Sequence, residues 1–174
     1  MKHWKRLPPP HANPWRAWLT WRGSLTSRIV ARSKSFRVER LQQRPKFPND
    51  DEYAKLEQPP HRLALVREVI LHADGKPVVL AHSIACYRDL SGVWRSLRDL
   101  GNRPLAEALF ADPLVKREQL EFVRVDFRHP LWRRATRVFG PGLPPLWARR
   151  SRFRLKGRPL LVTEVFLPGI LHLK

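Results

Sequence analysis

The chain has 174 residues, a length that fits one domain with a substantial core. It contains 34 Lys and Arg against 15 Asp and Glu, a net charge of +19, while 43% of its residues are apolar, which argues against a disordered chain. The longest apolar run, residues 160–171, is broken by Glu164, Pro168 and Gly169, so nothing approaches the ~20 apolar residues of a membrane-spanning helix. We therefore expect a soluble protein.

Two further features concern the cellular compartment. Residues 1–6 are basic, as at the start of a signal peptide, but prolines 8–10 stand where the apolar segment of such a peptide belongs. The single cysteine, Cys86, excludes an intrachain disulfide and a zinc site built from several cysteines. These features predict a cytoplasmic protein.

The positive charge is concentrated at the two ends of the chain. Residues 1–47 contain 12 basic residues and 1 acidic residue, and residues 111–174 contain 14 and 5. Such a charge attracts nucleic acid, anionic lipid and small anions alike. The sequence has no Cys/His finger, no RNP-like aromatic motif and no basic helix leading into heptads. Nucleic-acid binding is therefore the less favoured main function. Weak contact of the basic surface with nucleic acid or an anionic membrane stays compatible with a different main function.

The first elements follow a basic, proline-rich stretch. Residues 1–14 lack periodicity, and we expect a loose tail there that precedes one domain of residues 15–174. Apolar residues at helical spacing predict two short helices within residues 14–30, with Ser24 capping the second. Alternation over residues 33–41 predicts the first strand.

The strongest local signal is a hairpin. Residues 62–73 and 76–85 are two β-rich runs on either side of Asp74 and Gly75, a pair favoured in two-residue turns. The preceding residues 42–61 contain four prolines and are predicted to form a long loop.

The second half of the chain shows a similar order of elements. Residues 93–110 return to helical spacing and predict a second helix-turn-helix pair. Residues 115–126 predict a strand, the Arg- and Pro-rich residues 128–146 an extended loop, and residues 147–167 a final hairpin around Gly157.

These elements together predict an α+β fold in one domain. About six strands joined by hairpins, with the helices in two separate pairs, indicate an antiparallel sheet covered on one face. The sequence contains no glycine-rich phosphate loop, nucleophile elbow or paired-His zinc motif.

Two charged residues fall on strand faces that are otherwise apolar. The faces consist of Leu63, Leu65, Arg67, Val69 and Leu71 in one strand and Leu160, Val162, Glu164 and Phe166 in the other. An isolated ion in such surroundings costs several kcal/mol, so each charge needs a partner. Arg67 and Glu164 either pair with each other as a structural bridge, or face a cavity in which a polar, anionic ligand completes them.

The register of the first hairpin bears on this choice. If Asp74 and Gly75 form a two-residue turn, counting outward places Arg67 opposite His82. Glu164 alone cannot neutralise two adjacent cations and accept all their hydrogen bonds, whereas a dicarboxylate ligand could. The alternative for His82 is a neutral, hydrogen-bonded histidine of the core.

Several segments resemble the chorismate pyruvate-lyase family. They are residues 66–77 (VREVILHADGKP), residues 101–105 (GNRPL), residues 146–151 (LWARRS) with 159–168 (PLLVTEVFLP), and Ser24-Leu25-Thr26 followed by Arg28. The resemblance runs from about residue 15 to residue 168 and rests on the order and spacing of these segments. It implies a six-stranded antiparallel sheet with the ligand held inside, beneath two helix-turn-helix flaps.

The resemblance also implies an activity and its residues. Enzymes of this family convert chorismate to 4-hydroxybenzoate and pyruvate, the first step of ubiquinone biosynthesis, in the bacterial cytoplasm and without a metal or organic cofactor. We expect this chain to be a monomer whose partners are the substrate chorismate and the product 4-hydroxybenzoate. By position, Arg67 is similar to the residue that binds a substrate carboxylate, and Glu164 to the acidic residue that contacts the ring hydroxyl. Leu105 and Leu25 match further ligand contacts. His82 stands where many members have Arg, so a second cation there would be shorter and titratable.

Two points of this interpretation have alternatives. Glu164 could remove the ring proton, or the proton could pass directly to the enolpyruvyl group. The competing function is that of a non-catalytic ligand sensor, since effector domains of some transcription regulators resemble the lyase fold. Such domains follow a winged DNA-binding domain, for which residues 1–14 are too short, and we therefore expect the enzyme.

Overall fold

One antiparallel sheet organises residues 4–7 and 10–173, the part of the chain that the computed structural model describes. Its strands are β1 (Phe36–Lys46), β2 (Ala64–Ala73), β3 (Lys76–Cys86), β4 (Lys116–Arg117), β5 (Glu121–Val125), β6 (Leu146–Leu155) and β7 (Arg158–Phe166). The strand order is β1-β2-β3-β7-β6, and the short strands β4 and β5 both pair with β6. The sheet is therefore six positions wide, and the prediction of an α+β fold with about six antiparallel strands is confirmed.

The turn of the first hairpin connects β2 to β3 and also holds the start of β1. Asp74 and Gly75 both have positive φ angles, 50° and 76°, as a two-residue hairpin turn requires. The Asp74 carboxylate accepts hydrogen bonds from the backbone N–H groups of Lys34 (2.7 Å) and Ser35 (2.9 Å). Asp74 thus shapes the turn and also fixes the entry into the neighbouring strand.

A bulge changes the register of this hairpin. Val78 has no partner in β2, because the pairing is interrupted between the turn and the middle of the two strands. Beyond that point each partner is displaced by one residue, so Arg67 lies opposite Ser83 and His82 lies opposite Glu68. Since neighbouring residues of a strand point to opposite faces, His82 and Arg67 are on different faces of the sheet. The predicted pairing of Arg67 with His82 is wrong, because counting from a turn cannot locate a bulge.

Two helical segments cover the face of the sheet that carries Arg67, which we call the front face. The first flap, residues 16–30, contains α1 (Arg16–Leu19) and α2 (Leu25–Val30). The Ser24 hydroxyl caps α2 by accepting from the N–H of Ser27 (3.1 Å), as the sequence predicts. The second flap, residues 87–111, consists of two 3₁₀ turns, Tyr87–Ser91 and Arg95–Leu97, and α4 (Leu105–Ala111).

The opposite face, the back face, is covered as well. Helix α3 (Tyr53–Leu56) and helix α5 (Pro130–Phe139) pack on it, and Leu131 and Ala135 of α5 are buried against the sheet. The predictions of an extended loop over residues 128–146 and of a sheet covered on one face are therefore wrong. Helix α5 begins with a proline and ends before Gly140, both ordinary helix signals. Its arginines obscured the apolar spacing.

Two predicted boundaries also change. Strand β1 continues to Lys46, and α3 lies within residues 42–61, which were predicted to form a loop. Pro45 is tolerated in β1 because this strand is at the edge of the sheet, where one side needs no hydrogen-bond donor.

Part of the stretch predicted as a loose tail contacts the sheet. Lys5 exchanges two backbone hydrogen bonds with Phe122 (2.9 and 2.8 Å), the Trp4 indole donates to Asp51 (2.6 Å), and Ala12 is fully buried. No helix in the described part of the chain is long and apolar enough to cross a membrane.

Replacing Asp74 by Ala should lower the free energy of unfolding by about 1–2 kcal/mol, because two N–H groups lose their acceptor and alanine is strained at positive φ. Equilibrium unfolding in urea measures this difference. Asp74→Asn keeps a side-chain oxygen and tolerates positive φ, so it should lose clearly less stability. An equal loss in both variants would contradict the assigned role of Asp74.

Candidate active site

A cavity lies between the front face of the sheet and the two flaps. The space in it that the centre of a water-sized molecule can occupy is about 50 Å³, and all the space between its atoms, with the open mouth counted in, is about 590 Å³. Most of its lining is apolar and comes from both flaps and from the strands. The polar lining residues are Thr26, Arg67, Ser83, Arg117 and Glu164. The cavity thus combines apolar walls with two cations, Arg67 and Arg117, and one carboxylate, Glu164. This composition is typical of a binding site for a small polar ligand.

The register of the strands explains how these side chains meet. The floor of the cavity is formed by two cross-strand rows, Arg67-Ser83-Val162-Ser151 and Val69-Ala81-Glu164-Arg149, whose members other than Ser151 and Arg149 line it. Arg67 and Glu164 lie in adjacent rows with one strand between them. At ordinary strand spacing their Cα atoms are about 12 Å apart, which leaves room for a ligand between the two side chains. The sequence prediction that the two residues face one cavity agrees with this geometry.

Arg67 is a buried cation held by neutral acceptors. It is 3% exposed, and its guanidinium donates to the carbonyls of Gly101 and Arg103 (3.0 Å each) and to the Gln43 side-chain oxygen (3.3 Å). Within residues 4–7 and 10–173 no carboxylate lies within ion-pair distance. Burial, and the positive charge of Arg40, lower the pKa of Arg67 to about 10, so it stays charged at neutral pH.

Glu164 is held by a different cation. Its Oε2 accepts from Nε of Arg149 at 2.5 Å, and the Arg149 side chain is fully buried. The same guanidinium donates to the carbonyls of Trp18, Leu19 and Trp21 in the first flap. Arg149 therefore holds both the Glu164 carboxylate and the first flap in place. The other carboxylate oxygen of Glu164, Oε1, accepts no hydrogen bond from any described residue.

The structural bridge between Arg67 and Glu164 does not form. Arg149 occupies the carboxylate, and the second flap and β1 occupy part of the guanidinium. Of the two interpretations left open by the sequence, the bridge is wrong, and the cavity between the two groups is present.

The two leucines singled out by the sequence line the same cavity. Leu25 is the first residue of α2 and is 2% exposed, and Leu105 is the first residue of α4. Each flap therefore places the beginning of a helix at the cavity.

His82 lies behind the sheet, in a separate buried network. Its Nδ1 is 3.2 Å from Glu68 and its Nε2 is 3.1 Å from Glu52. Glu68 also accepts hydrogen bonds from Arg134 (2.6 Å) and Gln42 (2.5 Å). The expectation that His82 supplies a second cation to the ligand is wrong, because the bulge in β3 turns its side chain to the back face. The neutral core histidine considered as its alternative is not supported either.

The charges of this network stabilise one another. Burial alone would lower the pKa of His82, but the carboxylates of Glu52 and Glu68 raise it to about 10. Burial alone would raise the pKa of Glu68, but His82 and Arg134 lower it to about 2. His82 is therefore protonated at neutral pH, with a role in stability.

Arg117 is a charged cavity residue that no sequence pattern identified. Its guanidinium is half-buried, and it lies near the rings of Phe110 (5.6 Å) and Phe153 (5.3 Å). Burial lowers the pKa of Arg117 to about 10, while the nearby Glu164 opposes that shift. Strand β4 has only two residues, too few for an alternation of polar and apolar positions, so no periodicity could have identified Arg117.

The chain is similar in sequence to one family along almost its whole length. The family described as chorismate lyase matches residues 7–173. A relative from Aromatoleum aromaticum is 48% identical, over 98% of this chain and 94% of its own length. A relative from Nitrosospira multiformis is 45% identical, over 99% of this chain and 97% of its own length. Both relatives bear the name probable chorismate pyruvate-lyase.

Solved structures share the fold at much lower sequence identity. The C-terminal domain of PhnF matches with a TM-score of 0.59 at 14% identity, over 76% of this chain and 83% of that domain. The effector domain of PhnF from Mycobacterium smegmatis matches with a TM-score of 0.55 at 13% identity, over 84% and 90%. At these identities the likeness concerns the fold alone.

The stabilising effect of His82 should decrease as the pH rises. Folding raises its pKa from 6.5 to about 10, so its contribution is complete below about pH 6.5 and is lost as the pH rises toward 10. The difference in free energy of unfolding between the wild-type protein and His82→Gln should therefore shrink between pH 6 and pH 9.5 in urea titrations. A difference that stays constant or grows over this range would mean that folding does not raise the pKa of His82.

Proposed function

This chain belongs to the chorismate lyase family, and on that basis we propose that it converts chorismate to 4-hydroxybenzoate and pyruvate, the first step of ubiquinone biosynthesis. The observation that carries the proposal is Arg67, a buried cation without a carboxylate partner among the described residues, in a mostly apolar cavity that also contains Glu164. A ligand with a carboxylate at one end and a ring hydroxyl at the other suits this pair.

Arg67 anchors the carboxylate on the ring of chorismate. Three of its five N–H donors are used by neutral oxygens, so two remain for the ligand. A hydrogen bond between a guanidinium and a carboxylate is stronger than one between neutral groups, and more so where water is excluded. The neutral acceptors hold the guanidinium in place without cancelling its charge.

Glu164 acts at the other end of the ring. The carbon that bears the hydroxyl also bears a hydrogen, and the next carbon carries the enolpyruvyl ether. When the proton leaves this carbon, its electron pair completes the aromatic ring, and the ether bond breaks with its electrons on the enolpyruvyl oxygen. The enolpyruvate then takes up a proton and becomes pyruvate. Atoms and electrons balance without an oxidant, a reductant or water.

The position of Glu164 suits the removal of that proton. Arg149 holds Oε2, so Oε1 is the oxygen available to the ligand, either to hold the hydroxyl or to accept the proton. The apolar walls supplied by Leu25, Leu105 and their neighbours exclude water and orient the ring. Because the product is aromatic, the reaction is downhill, and orientation is the main contribution of the protein.

A ligand sensor without catalysis is the second candidate function. It is supported by the fold shared with the effector domain of PhnF, and it predicts binding of an anionic ring compound without turnover. An assay of product formation separates the two candidates.

Purified protein incubated with chorismate should produce 4-hydroxybenzoate and pyruvate in equal amounts, as measured by chromatography. Glu164→Gln keeps a hydrogen-bonding side chain but cannot accept a proton, so kcat should fall by roughly 100-fold or more. Glu107→Gln, on the exposed side of α4, is the matched control and should keep full activity. Full activity of Glu164→Gln would indicate that the proton passes directly to the enolpyruvyl group, and no product from the wild-type protein would favour the sensor.

Arg67→Ala should lower kcat/KM for chorismate by about 100-fold, because the charged hydrogen bonds to the carboxylate, worth about 1.5–3 kcal/mol each, are lost. The binding of 4-hydroxybenzoate, measured by calorimetry, should weaken as well, since the product retains that carboxylate. Arg40→Ala removes a nearby positive charge outside the cavity and is the control. An unchanged kcat/KM in Arg67→Ala would contradict the anchoring role.

A further inference from the structure

The cavity contains a second cation, Arg117, to which the proposed function assigns no role. Arg117 lies on β4, at the far side of the sheet from Arg67. Its Nε donates to the Ser151 hydroxyl (2.8 Å), and Nη1 donates to the Arg22 carbonyl (2.6 Å) in the first flap. Its Nη2 has no hydrogen-bond partner in the described part of the chain. The Nη2 group of this charged guanidinium is thus available to donate a hydrogen bond to a ligand in the cavity.

No acidic residue neutralises this guanidinium directly. Within residues 4–7 and 10–173, no carboxylate lies within 4.0 Å of Arg117, and the carboxylate of Glu164 is occupied by Arg149. The cavity therefore contains two guanidinium groups, Arg67 and Arg117, for which the protein supplies no adjacent carboxylate. Two unneutralised cations in one apolar cavity favour a ligand with two negative charges.

The two cations are placed at opposite sides of the floor. The row Arg67-Ser83-Val162-Ser151 crosses β2, β3, β7 and β6, so its ends are about 14 Å apart at ordinary strand spacing. Arg67 begins this row, and the guanidinium of Arg117 is bonded to the serine at its other end. Long side chains reaching inward from both ends leave a gap between their charges.

The chemistry of chorismate matches this arrangement. Its ring carboxylate is on the opposite side of the ring from the hydroxyl, while the enolpyruvyl ether is on the carbon next to the hydroxyl. If Glu164 faces the hydroxyl and Arg67 binds the ring carboxylate, the enolpyruvyl carboxylate lies on the side of Glu164. Arg117 is on that side, because Ser151 is opposite Val162, two residues from Glu164.

We infer that Arg117 binds the enolpyruvyl carboxylate of the substrate, an inference that rests on the proposed function. Arg117 then distinguishes chorismate from the product 4-hydroxybenzoate, which lacks this carboxylate. It also holds the leaving group, and the negative charge that develops on the enolpyruvyl oxygen when the ether bond breaks lies next to a cation. Arg117 is therefore a substrate-binding residue that makes a contact absent from the bound ring product.

A purely structural role for Arg117 has a different consequence. Because Arg117 donates to the carbonyl of Arg22, and at 3.4 Å to that of Gly23, it could act only by holding the first flap against the sheet. Loss of the flap contact would weaken every ligand of the cavity. Loss of a contact to the enolpyruvyl carboxylate would weaken chorismate and leave 4-hydroxybenzoate unaffected. The ratio of the two effects separates the roles.

The test measures KM and kcat for chorismate and the Kd of 4-hydroxybenzoate in the wild-type protein and in Arg117→Ala. Arg117→Ala should raise KM or lower kcat/KM by at least about 30-fold, equal to ~2 kcal/mol, and should change the Kd of 4-hydroxybenzoate by less than about 3-fold. Lys116→Ala removes the same charge from the neighbouring, exposed position and should resemble the wild-type protein. Arg117→Lys keeps the charge without the planar fork and should fall between the two.

Two outcomes would overturn the inference. Equal weakening of chorismate and 4-hydroxybenzoate would assign Arg117 to flap closure, and an Arg117→Ala protein that behaves like Lys116→Ala would assign it no role. If Arg117→Ala does not fold, Arg117→Lys replaces it, with at least a 5-fold rise in KM expected and an unchanged Kd. If the wild-type protein forms no product from chorismate, the proposed function fails instead.

Discussion

The guanidinium of Arg67 is buried on the front face of the sheet, and the chemistry of the site follows from its surroundings. It has carbonyl acceptors, but no carboxylate of the described part of the chain lies within ion-pair distance of it. Arg67 keeps its charge because Gly101, Arg103 and Gln43 accept from it, yet none of these groups neutralises it. A carboxylate within hydrogen-bond distance would satisfy the cation and leave little attraction for a ligand. The electrostatic attraction for an anion is therefore built into the folded protein before any ligand arrives.

The arginines at the cavity also hold the two flaps. Arg67 donates to carbonyls of the second flap, while Arg149 and Arg117 donate to carbonyls of the first. Both flaps are thus hydrogen-bonded to arginines of the sheet. Arg67 and Arg117 therefore contact both the space open to a ligand and the segments that cover it.

The two faces of the sheet treat buried charge in opposite ways. On the back face, His82 lies between Glu52 and Glu68, so each charge has partners supplied by the protein. On the front face, Arg67 and Arg117 have no such partners in the described part of the chain. The first arrangement stabilises the fold by an amount that decreases as the pH rises toward 10, and the second leaves a positive potential inside the cavity that attracts an anionic ligand. The bulge at Val78 places the side chain of His82 on the back face, beside the two carboxylates.

Turn residues and strand alternation are local properties, so the sequence alone established the two hairpins, the α+β class, and the positions of Arg67 and Glu164 on apolar faces of their strands. Which of the buried charges are neutralised depends instead on long-range contacts. The face of His82 follows from a bulge, and the partners of Arg67 and Arg149 come from flap carbonyls far away in the chain. Arg117 meets the first flap at Arg22, 95 residues earlier. Contacts over such separations depend on how the whole sheet pairs, which no local pattern of residues records.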